Sequence, residues 1–214
     1  MKQYKYFLFD WDGTLAKTLD IWLESMKDAL AKKGQFLNDA DIGANYDKFK
    51  NRFESQGYKK VKIIVDEGTS LANSRIPNIE LYEDSREVLE FLYNHGAHLA
   101  LVTTSTHSQI DHLLKKHSLV SLFDVVVCGD DVSNIKSNPE PILKAIDDLG
   151  AKFEETIMIG DSESDIKAST NAKIDSVLFY PPSHDKFHIL SELKLLEPSY
   201  VIHKLPQLMT LISD

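Results

Sequence analysis

Four aspartates stand directly after two apolar runs of this sequence, at positions that a folded chain could bring to one site. They are Asp10 and Asp12 in FLFDWDGTL, and Asp161 and Asp165 in GDSESD. Carboxylates placed side by side cannot all stay ionised without a cation. Because oxygen ligands without histidine or cysteine suit a hard ion, the pattern predicts a Mg²⁺ site.

Hydroxyls and a lysine complete the candidate set. Thr103, Thr104 and Ser105 lie at the end of the apolar run 98–103, and Lys136 lies in NIKSNPEP. Mg²⁺ commonly binds substrate phosphate oxygens, and hydroxyl and ammonium groups can hold the remaining ones. One carboxylate beside a bound phosphate can attack phosphorus, while a second, two residues away, acts as general acid and then as base. These residues therefore predict phosphoryl-group chemistry.

The elements that must position these groups are short apolar runs separated by amphipathic segments. The runs, apolar on consecutive positions, cover 6–9, 98–103, 123–128, 156–160 and 175–180. Such runs are typical of strands buried on both faces of a parallel sheet. Between them, apolar spacing predicts helices over 84–95, 107–117 and 139–149. The prediction is a doubly wound α/β domain with a Rossmann-like core, which binds ligands beyond the carboxyl ends of its strands.

Residues 16–80 interrupt this alternation, because they contain no convincing strand pattern. Their apolar spacing predicts three helices, over 19–33, 45–56 and 58–73. We therefore expect a catalytic α/β core formed by 1–15 and 81–214, and an all-helical domain inserted at 16–80. The stretch 180–188, YPPSHDKFH, is expected to be an exposed loop.

Composition narrows the function classes. The chain has 214 residues and a formal net charge of −9 at pH 7, which argues against nucleic-acid binding because phosphate backbones require a basic surface. The single cysteine, Cys128, cannot form an intrachain disulfide and is expected in the core, with His107 at the surface or at a helix cap. Without a signal-peptide pattern or a membrane-spanning stretch, we expect a cytoplasmic protein with no membrane partner, either a monomer or a homodimer.

The segments DWDGTL, LVTTS, KSNPEP and GDSESD, in this order, resemble the four motifs of the haloacid dehalogenase-like hydrolase superfamily. The resemblance is closest to its phosphoglycolate phosphatase-like branch and extends over essentially the whole chain. It implies that 16–80 is a helical cap that closes over the site and selects the substrate. It also implies a Mg²⁺-dependent phosphatase that hydrolyses a small phosphorylated metabolite through an aspartyl-phosphate intermediate.

Carried over by position, the resemblance implies a role for each candidate residue. Asp10 would be the nucleophile, and Asp12 the general acid and base. Thr103 and Lys136 would bind the phosphoryl group, beside the hydroxyl of Thr104. The metal ligands would be Asp10, Asp12 through its backbone carbonyl, Asp161 and Asp165, the last directly or through water. An acid at position 12 favours phosphate chemistry over carbon–halogen cleavage, because the dehalogenases of this superfamily lack it.

Purely structural interpretations of these residues stay open at this point. Asp10 and Asp12 could form a turn at a strand end, and Asp165 could be the acid of a first helical turn. Lys136 could be a solvated lysine, and it is followed by Ser137 where the family commonly has proline. Two other functions also stay open: a phosphomutase, which passes the phosphoryl group to a second hydroxyl, and a non-catalytic protein that binds a phosphorylated metabolite.

Overall fold

The structure, a computed structural model, describes residues 2–39, 42 and 61–212. The chain divides into two compact units, whose segments are Met1–Ala16, Leu81–Pro182 and Leu190–Asp214 for the first, and Lys17–Glu80 and Ser183–Ile189 for the second. The boundaries expected from the sequence differ from this division by residue 16 and by the segment Ser183–Ile189. The predicted helix over 45–56 and the first residues of the helix predicted over 58–73 lie outside the described residues.

The first unit is built on a six-stranded sheet in which all neighbouring strands are parallel. In chain order the strands are β1 (Tyr6–Phe9), β2 (His98–Val102), β3 (Val125–Val127), β4 (Thr156–Gly160), β5 (Asp175–Phe179) and β6 (Tyr200–Ile202). Across the sheet they run β3-β2-β1-β4-β5-β6, so the chain changes direction beside β1. The predicted doubly wound fold is confirmed, and the ends of β1 and β4 lie at its switch point, where such folds bind ligands.

Five helices of the described residues agree closely with predicted ones: α1 (Thr18–Ala31), α2 (Val61–Arg75), α3 (Ser85–Asn94), α4 (His107–Lys116) and α5 (Glu140–Leu149). Two more, α6 (Glu163–Ala172) and α7 (Leu190–Lys194), were not predicted. The predicted end of α5 agrees with the structure, because Gly150 adopts the left-handed conformation that commonly ends helices, with φ 60°. Within the described part of the chain, we find no helix with both the length and the apolar character needed to cross a membrane.

Both faces of the sheet are covered, which explains the consecutive apolar residues of its strands. On one face, α5 and α6 complete a buried apolar cluster that contains Leu8, Ala100, Val102, Met158, Ile142, Ala145, Ile146 and Ala168. Because successive strand residues point to opposite faces, Phe7 and Phe9 face the other side, and both are fully buried there as well.

The second unit has its own apolar cluster between α1 and α2. Its buried members are Leu23, Met26, Ala29, Leu30, Ile42, Ile64 and Phe187. Phe187 belongs to the stretch that we expected to be an exposed loop, and this expectation is wrong. Tyr180, His184 and Phe187 are 3%, 0% and 8% exposed. The prolines and charged residues of YPPSHDKFH indicated a solvated loop, but its aromatic side chains at positions 180, 184 and 187 are buried.

Candidate active site

The first strand delivers Asp10 and Asp12 to the edge of the sheet. The amide of Asp10 still donates to the carbonyl of Ile159 in β4, at 2.9 Å, so this residue continues the strand by one position. The chain then turns sharply at Gly13, whose φ of 81° favours glycine. Asp10 is 5% exposed, while Asp12 on the turn is half-buried. The two acids therefore occupy different environments although one residue separates them.

The fourth strand delivers the other two acids through the start of α6. Ser162 caps this helix. Its amide and its hydroxyl both donate hydrogen bonds to the Asp165 carboxylate, at 3.2 Å and 2.5 Å. A Cβ atom on Gly160 would lie 2.3 Å from Cγ of Asp165, closer than real Cβ contacts occur. Glycine at position 160 therefore allows the Asp165 carboxylate to reach the end of β4.

Lys136 joins the acids from the two strands. Its ammonium contacts Oδ1 of Asp10, lies 2.7 Å from Oδ1 of Asp165 and donates to the carbonyl of Val102 at 2.8 Å. Carboxylate oxygens of Asp10, Asp161 and Asp165 all lie within 4.8 Å of one another. Lys136 is 7% exposed, so the solvated-lysine interpretation is wrong. Asp165 is the acid of a first helical turn, and it also contacts the lysine.

Burial and charge set the protonation of this group. Burial raises the pKa of Asp10 well above its usual range, the Lys136 ammonium opposes that shift, and the charges of Asp165, Asp161 and Asp12 add to it. Burial alone would lower the pKa of Lys136, but the adjacent Asp10 and Asp165 carboxylates outweigh it and raise the pKa above its usual value. The lysine therefore stays charged, and the Asp10 and Asp165 carboxylates share its positive charge.

The hydroxyl cluster after β2 divides between the buried site and the surface. Thr103 is 2% exposed, and its Oγ1 accepts a hydrogen bond from the amide of Ser105 at 3.1 Å. The Ser105 hydroxyl donates to Oδ2 of Asp12 at 2.9 Å. Thr104 is exposed, so it lies outside the buried group. Ser105 was part of the predicted hydroxyl cluster, but nothing in the sequence linked it to Asp12.

A further hydroxyl contact was not predicted. Thr14 is buried, and its Oγ1 donates to Oδ2 of Asp10 over a long distance, 3.5 Å. The sequence signal for this contact was the position of Thr14 directly after Asp12-Gly13, because the turn there brings its hydroxyl back towards Asp10. The contact holds the second oxygen of Asp10 while Lys136 holds the first.

The donor set fits a hard divalent cation. The three clustered carboxylates offer oxygen atoms alone, they are all at least nine-tenths buried, and their charge exceeds that of Lys136. Mg²⁺ prefers such oxygen ligands and is commonly bound by one or two carboxylates plus water and phosphate. Since both oxygens of Asp165 already contact Ser162 or Lys136, this residue is better placed to support an ion than to dominate its binding.

Comparison with known proteins agrees with the motif order. The family model described as haloacid dehalogenase-like hydrolase matches residues 7–179. The chain is similar to the pyrophosphatase PpaX of Halalkalibacterium halodurans, with 31% identity over 219 residues that cover 96% of this chain and 95% of that protein. PpaX of Bacillus mycoides is 29% identical over 209 residues, with coverage of 96% and 95%.

Solved structures share the fold at low sequence identity. A HAD family hydrolase from Deinococcus radiodurans, solved with bound phosphate and sodium, superposes with a TM-score of 0.85 at 20% identity, covering 100% of this chain and 99% of that one. A candidate phosphoglycolate phosphatase from Lactobacillus plantarum gives 0.77 at 20% identity, with coverage of 98% and 100%. The chain thus belongs to the haloacid dehalogenase-like hydrolase family, as its four motifs predicted.

Proposed function

We propose that this protein is a Mg²⁺-dependent phosphatase that hydrolyses a small phosphorylated molecule through a phosphorylated Asp10. The observation that carries the proposal is the buried contact of Asp10 with Lys136, beside the carboxylates of Asp161 and Asp165. The relatives named pyrophosphatase PpaX place pyrophosphate first among the substrates to be tested. The phosphate bound by the Deinococcus radiodurans structure supports the same class of ligand.

The proposed Mg²⁺ ligands are Asp10, the backbone carbonyl of Asp12, and Asp161. Asp165 would support the ion through a remaining lone pair or through water. When bound, the ion supplies positive charge that neutralises the phosphate and the carboxylates around it. A phosphate could not otherwise approach four aspartates.

In the first step a carboxylate oxygen of Asp10 attacks phosphorus. The new bond forms between this oxygen and phosphorus, and the bond from phosphorus to the leaving oxygen breaks. Asp12 gives its proton to the leaving oxygen, which therefore departs as a hydroxyl group without the additional negative charge. Lys136 and Thr103 bind the phosphoryl oxygens, with Thr104 contributing from the exposed edge. Donors fixed in this way stabilise the charge of the transition state without reorganising.

In the second step water releases the phosphoryl group. Asp12, now ionised, takes a proton from the water molecule as its oxygen attacks phosphorus. The bond between phosphorus and the Asp10 oxygen breaks, which frees inorganic phosphate and restores the carboxylate. The Ser105 hydroxyl donates to Oδ2 of Asp12 and would orient this carboxyl group in both steps.

A phosphate-release assay tests the proposal. The wild type and Asp10→Asn are offered pyrophosphate, phosphoglycolate and a panel of sugar and nucleoside phosphates, with Mg²⁺ or with a chelator. We expect release by the wild type with Mg²⁺ and none above background from Asp10→Asn. Asp148→Asn is the matched control, since its exposed carboxylate pairs with Lys144 on the surface. Full activity in Asp10→Asn would overturn the assignment of the nucleophile.

The same assay separates the two other functions. A phosphomutase would convert one sugar phosphate into its isomer and release little phosphate. A non-catalytic binding protein would release none, while a phosphorylated metabolite would still raise its melting temperature. Within the proposal, the second unit acts as the substrate-selecting cap, and the protein is a cytoplasmic monomer or homodimer.

A further inference from the structure

A second set of metal-binding side chains lies beyond the ends of β2 and β3. The set, which we call the His–Cys cluster, consists of His107 at the start of α4 and Cys128, Asp130 and Asp131 directly after β3. One donor atom from each residue lies within 4.8 Å of the donor atoms of the other three. Cys128 is fully buried, whereas both aspartates are exposed. The cluster therefore has a thiol at its base and carboxylates at its rim.

The imidazole of His107 is already oriented as in many metal sites. Its Nδ1 lies 3.2 Å from a carboxylate oxygen of Asp111, one turn along α4, and its Nε2 lies 2.8 Å from Oδ2 of Asp131. A histidine that ligates a metal commonly gives its other ring N–H to a carboxylate, which fixes the tautomer and strengthens the ligand. Asp111 holds the ring in this way, with Nε2 directed at the cluster.

Hydrogen bonds between backbone amides and two aspartate side chains hold the loop after β3. Asp130 accepts a hydrogen bond from the amide of His107 at 3.0 Å, and Asp131 accepts one from the amide of Cys128 at 2.8 Å. A Cβ atom on Gly129 would lie 2.4 Å from the carbonyl oxygen of Thr104, so the two loops approach as closely as glycine permits. These bonds, and those that orient the imidazole between Asp111 and Asp131, bring the thiol and the imidazole close together.

We propose that the His–Cys cluster binds one transition-metal ion of borderline softness, such as Zn²⁺, through His107, Cys128, Asp130 and Asp131. Ligands about 2.0 to 2.3 Å from a tetrahedral ion lie roughly 3.3 to 3.7 Å from one another, a spacing comparable with the separations of up to 4.8 Å between these donor atoms. A thiolate and an imidazole favour Zn²⁺ over Mg²⁺, in contrast to the four aspartates of the candidate active site.

Binding of a metal ion would displace the proton of the Cys128 thiol. Burial, together with the nearby carboxylates of Asp131, Asp130 and Asp111, raises the pKa of the Cys128 thiol to about 12. Because a cysteine binds a metal ion as the thiolate, binding at Cys128 would release the proton of the thiol. The negative charges that suppress the free thiolate are the same charges that attract a divalent ion.

Cobalt titration of the full chain, with any affinity tag removed, tests the site. Because Cys128 is the single cysteine, a thiolate-to-cobalt charge-transfer band in the near ultraviolet reports this position alone. We expect the band to grow to one equivalent of Co²⁺, to be bleached by Zn²⁺ and to survive an excess of Mg²⁺. Cys128→Ser should abolish the band, with the melting temperature recorded to show that the variant is folded.

Two surface variants keep the test independent of the buried position. His107→Gln removes a ligand and should weaken Co²⁺ binding by about 100-fold or more, since even the loss of an outer partner costs about 10- to 100-fold. His112→Gln, an exposed histidine on the same helix, should leave the band and the affinity unchanged. The proposal is overturned if the wild type shows no charge-transfer band, or if His107→Gln binds Co²⁺ as tightly as the wild type does.

Discussion

Lys136 is the residue on which the charge balance of the candidate active site depends. It is buried, and its ammonium contacts Asp10 and Asp165. Lys136→Met keeps the apolar stem but leaves both carboxylates buried without their partner, which typically costs about 3 to 5 kcal/mol. We expect the free energy of unfolding in metal-free buffer to fall by this amount. Activity should fall by about 100-fold, the usual cost of losing one such donor.

Urea unfolding of a double-mutant cycle measures this interaction directly. Asp165→Asn removes one of the two orphaned charges, so the double variant should recover part of the stability that Lys136→Met loses. Lys144→Met is the matched control, because its partner Asp148 lies on the surface, and we expect little change there. Strict additivity of the two buried substitutions would contradict the account of the shared charge.

Ser105 is the residue-scale test of how Asp12 is held. Its hydroxyl donates to Oδ2 of Asp12 at 2.9 Å, and a hydrogen bond to a charged group contributes about 1.5 to 3 kcal/mol. Ser105→Ala should lower kcat by about tenfold with little change in KM, because the substrate-binding groups remain. Ser105→Thr, which keeps the hydroxyl, should restore the rate. A higher KM at unchanged kcat would instead place Ser105 against the substrate.

At the scale of elements, the junction between β4 and α6 depends on the lack of a side chain at position 160. Gly160→Ala would push a methyl group against Asp165, and overpacking of this kind costs about 1 to 3 kcal/mol. We expect lower stability and a large loss of activity, since Asp165 and its contact with Lys136 must move. Gly150→Ala, at a left-handed helix end, should cost about 1 kcal/mol and leave kcat intact. If Gly160→Ala and Gly150→Ala changed kcat equally, the specific role of Gly160 beside Asp165 would be refuted.

At the scale of the whole first unit, Asp175 ties the N-terminal segment to the far side of the sheet. It accepts hydrogen bonds from Tyr4 at 2.9 Å, Ser199 at 2.9 Å and Lys2 at 2.5 Å. Burial alone would raise its pKa, but these hydrogen bonds outweigh burial and hold the pKa below its usual value. The stability that it contributes is therefore present above the unfolded pKa, about 3.9, and is lost as pH falls through the lowered value.

Unfolding measured at pH 7, 5 and 3 checks this dependence. Asp175→Asn should cost about 1 to 2 kcal/mol at pH 7 and at pH 5, and the difference from the wild type should shrink near pH 3. Asp148→Asn serves again as the surface control. A difference that grows on acidification would mean that Asp175 stabilises the protein in its protonated form.

Much of this fold was predictable from the sequence, for physical reasons that particular elements illustrate. Strands β1, β2 and β4 are buried on both faces, so their apolar residues run consecutively and are easy to recognise. By contrast, β6 spans three residues, Tyr200–Ile202, at the edge of the sheet, and a run this short carries no distinctive pattern. The segment Ser183–Ile189 was misjudged because its anchors, His184 and Phe187, are scattered among polar residues.

The candidate site was predictable in its membership but less so in its contacts. Motif order brought Asp10, Lys136 and Asp165 into the candidate set, because Asp10 follows β1, Asp165 follows β4, and Lys136 lies in the motif between the second and the fourth. The donation from Ser105 to Asp12 and the close approach of Gly160 to Asp165 depend on tertiary packing, which local sequence does not encode. For the same reason, the close approach of His107 and Cys128, which are twenty-one positions apart, was not predictable from local sequence.

The central claim is that Asp10 carries the phosphoryl group during turnover, and chemical trapping tests it most directly. Asp12→Asn is mixed with Mg²⁺ and an activated phosphate ester, whose leaving group needs no general acid, so that the phosphorylated enzyme accumulates. Acid quenching, borohydride reduction and peptide mass spectrometry then locate the acyl phosphate, since reduction converts a phosphorylated aspartate to homoserine. The account predicts homoserine at position 10. Phosphate release with no modified peptide, or with the modification at another residue, would contradict it.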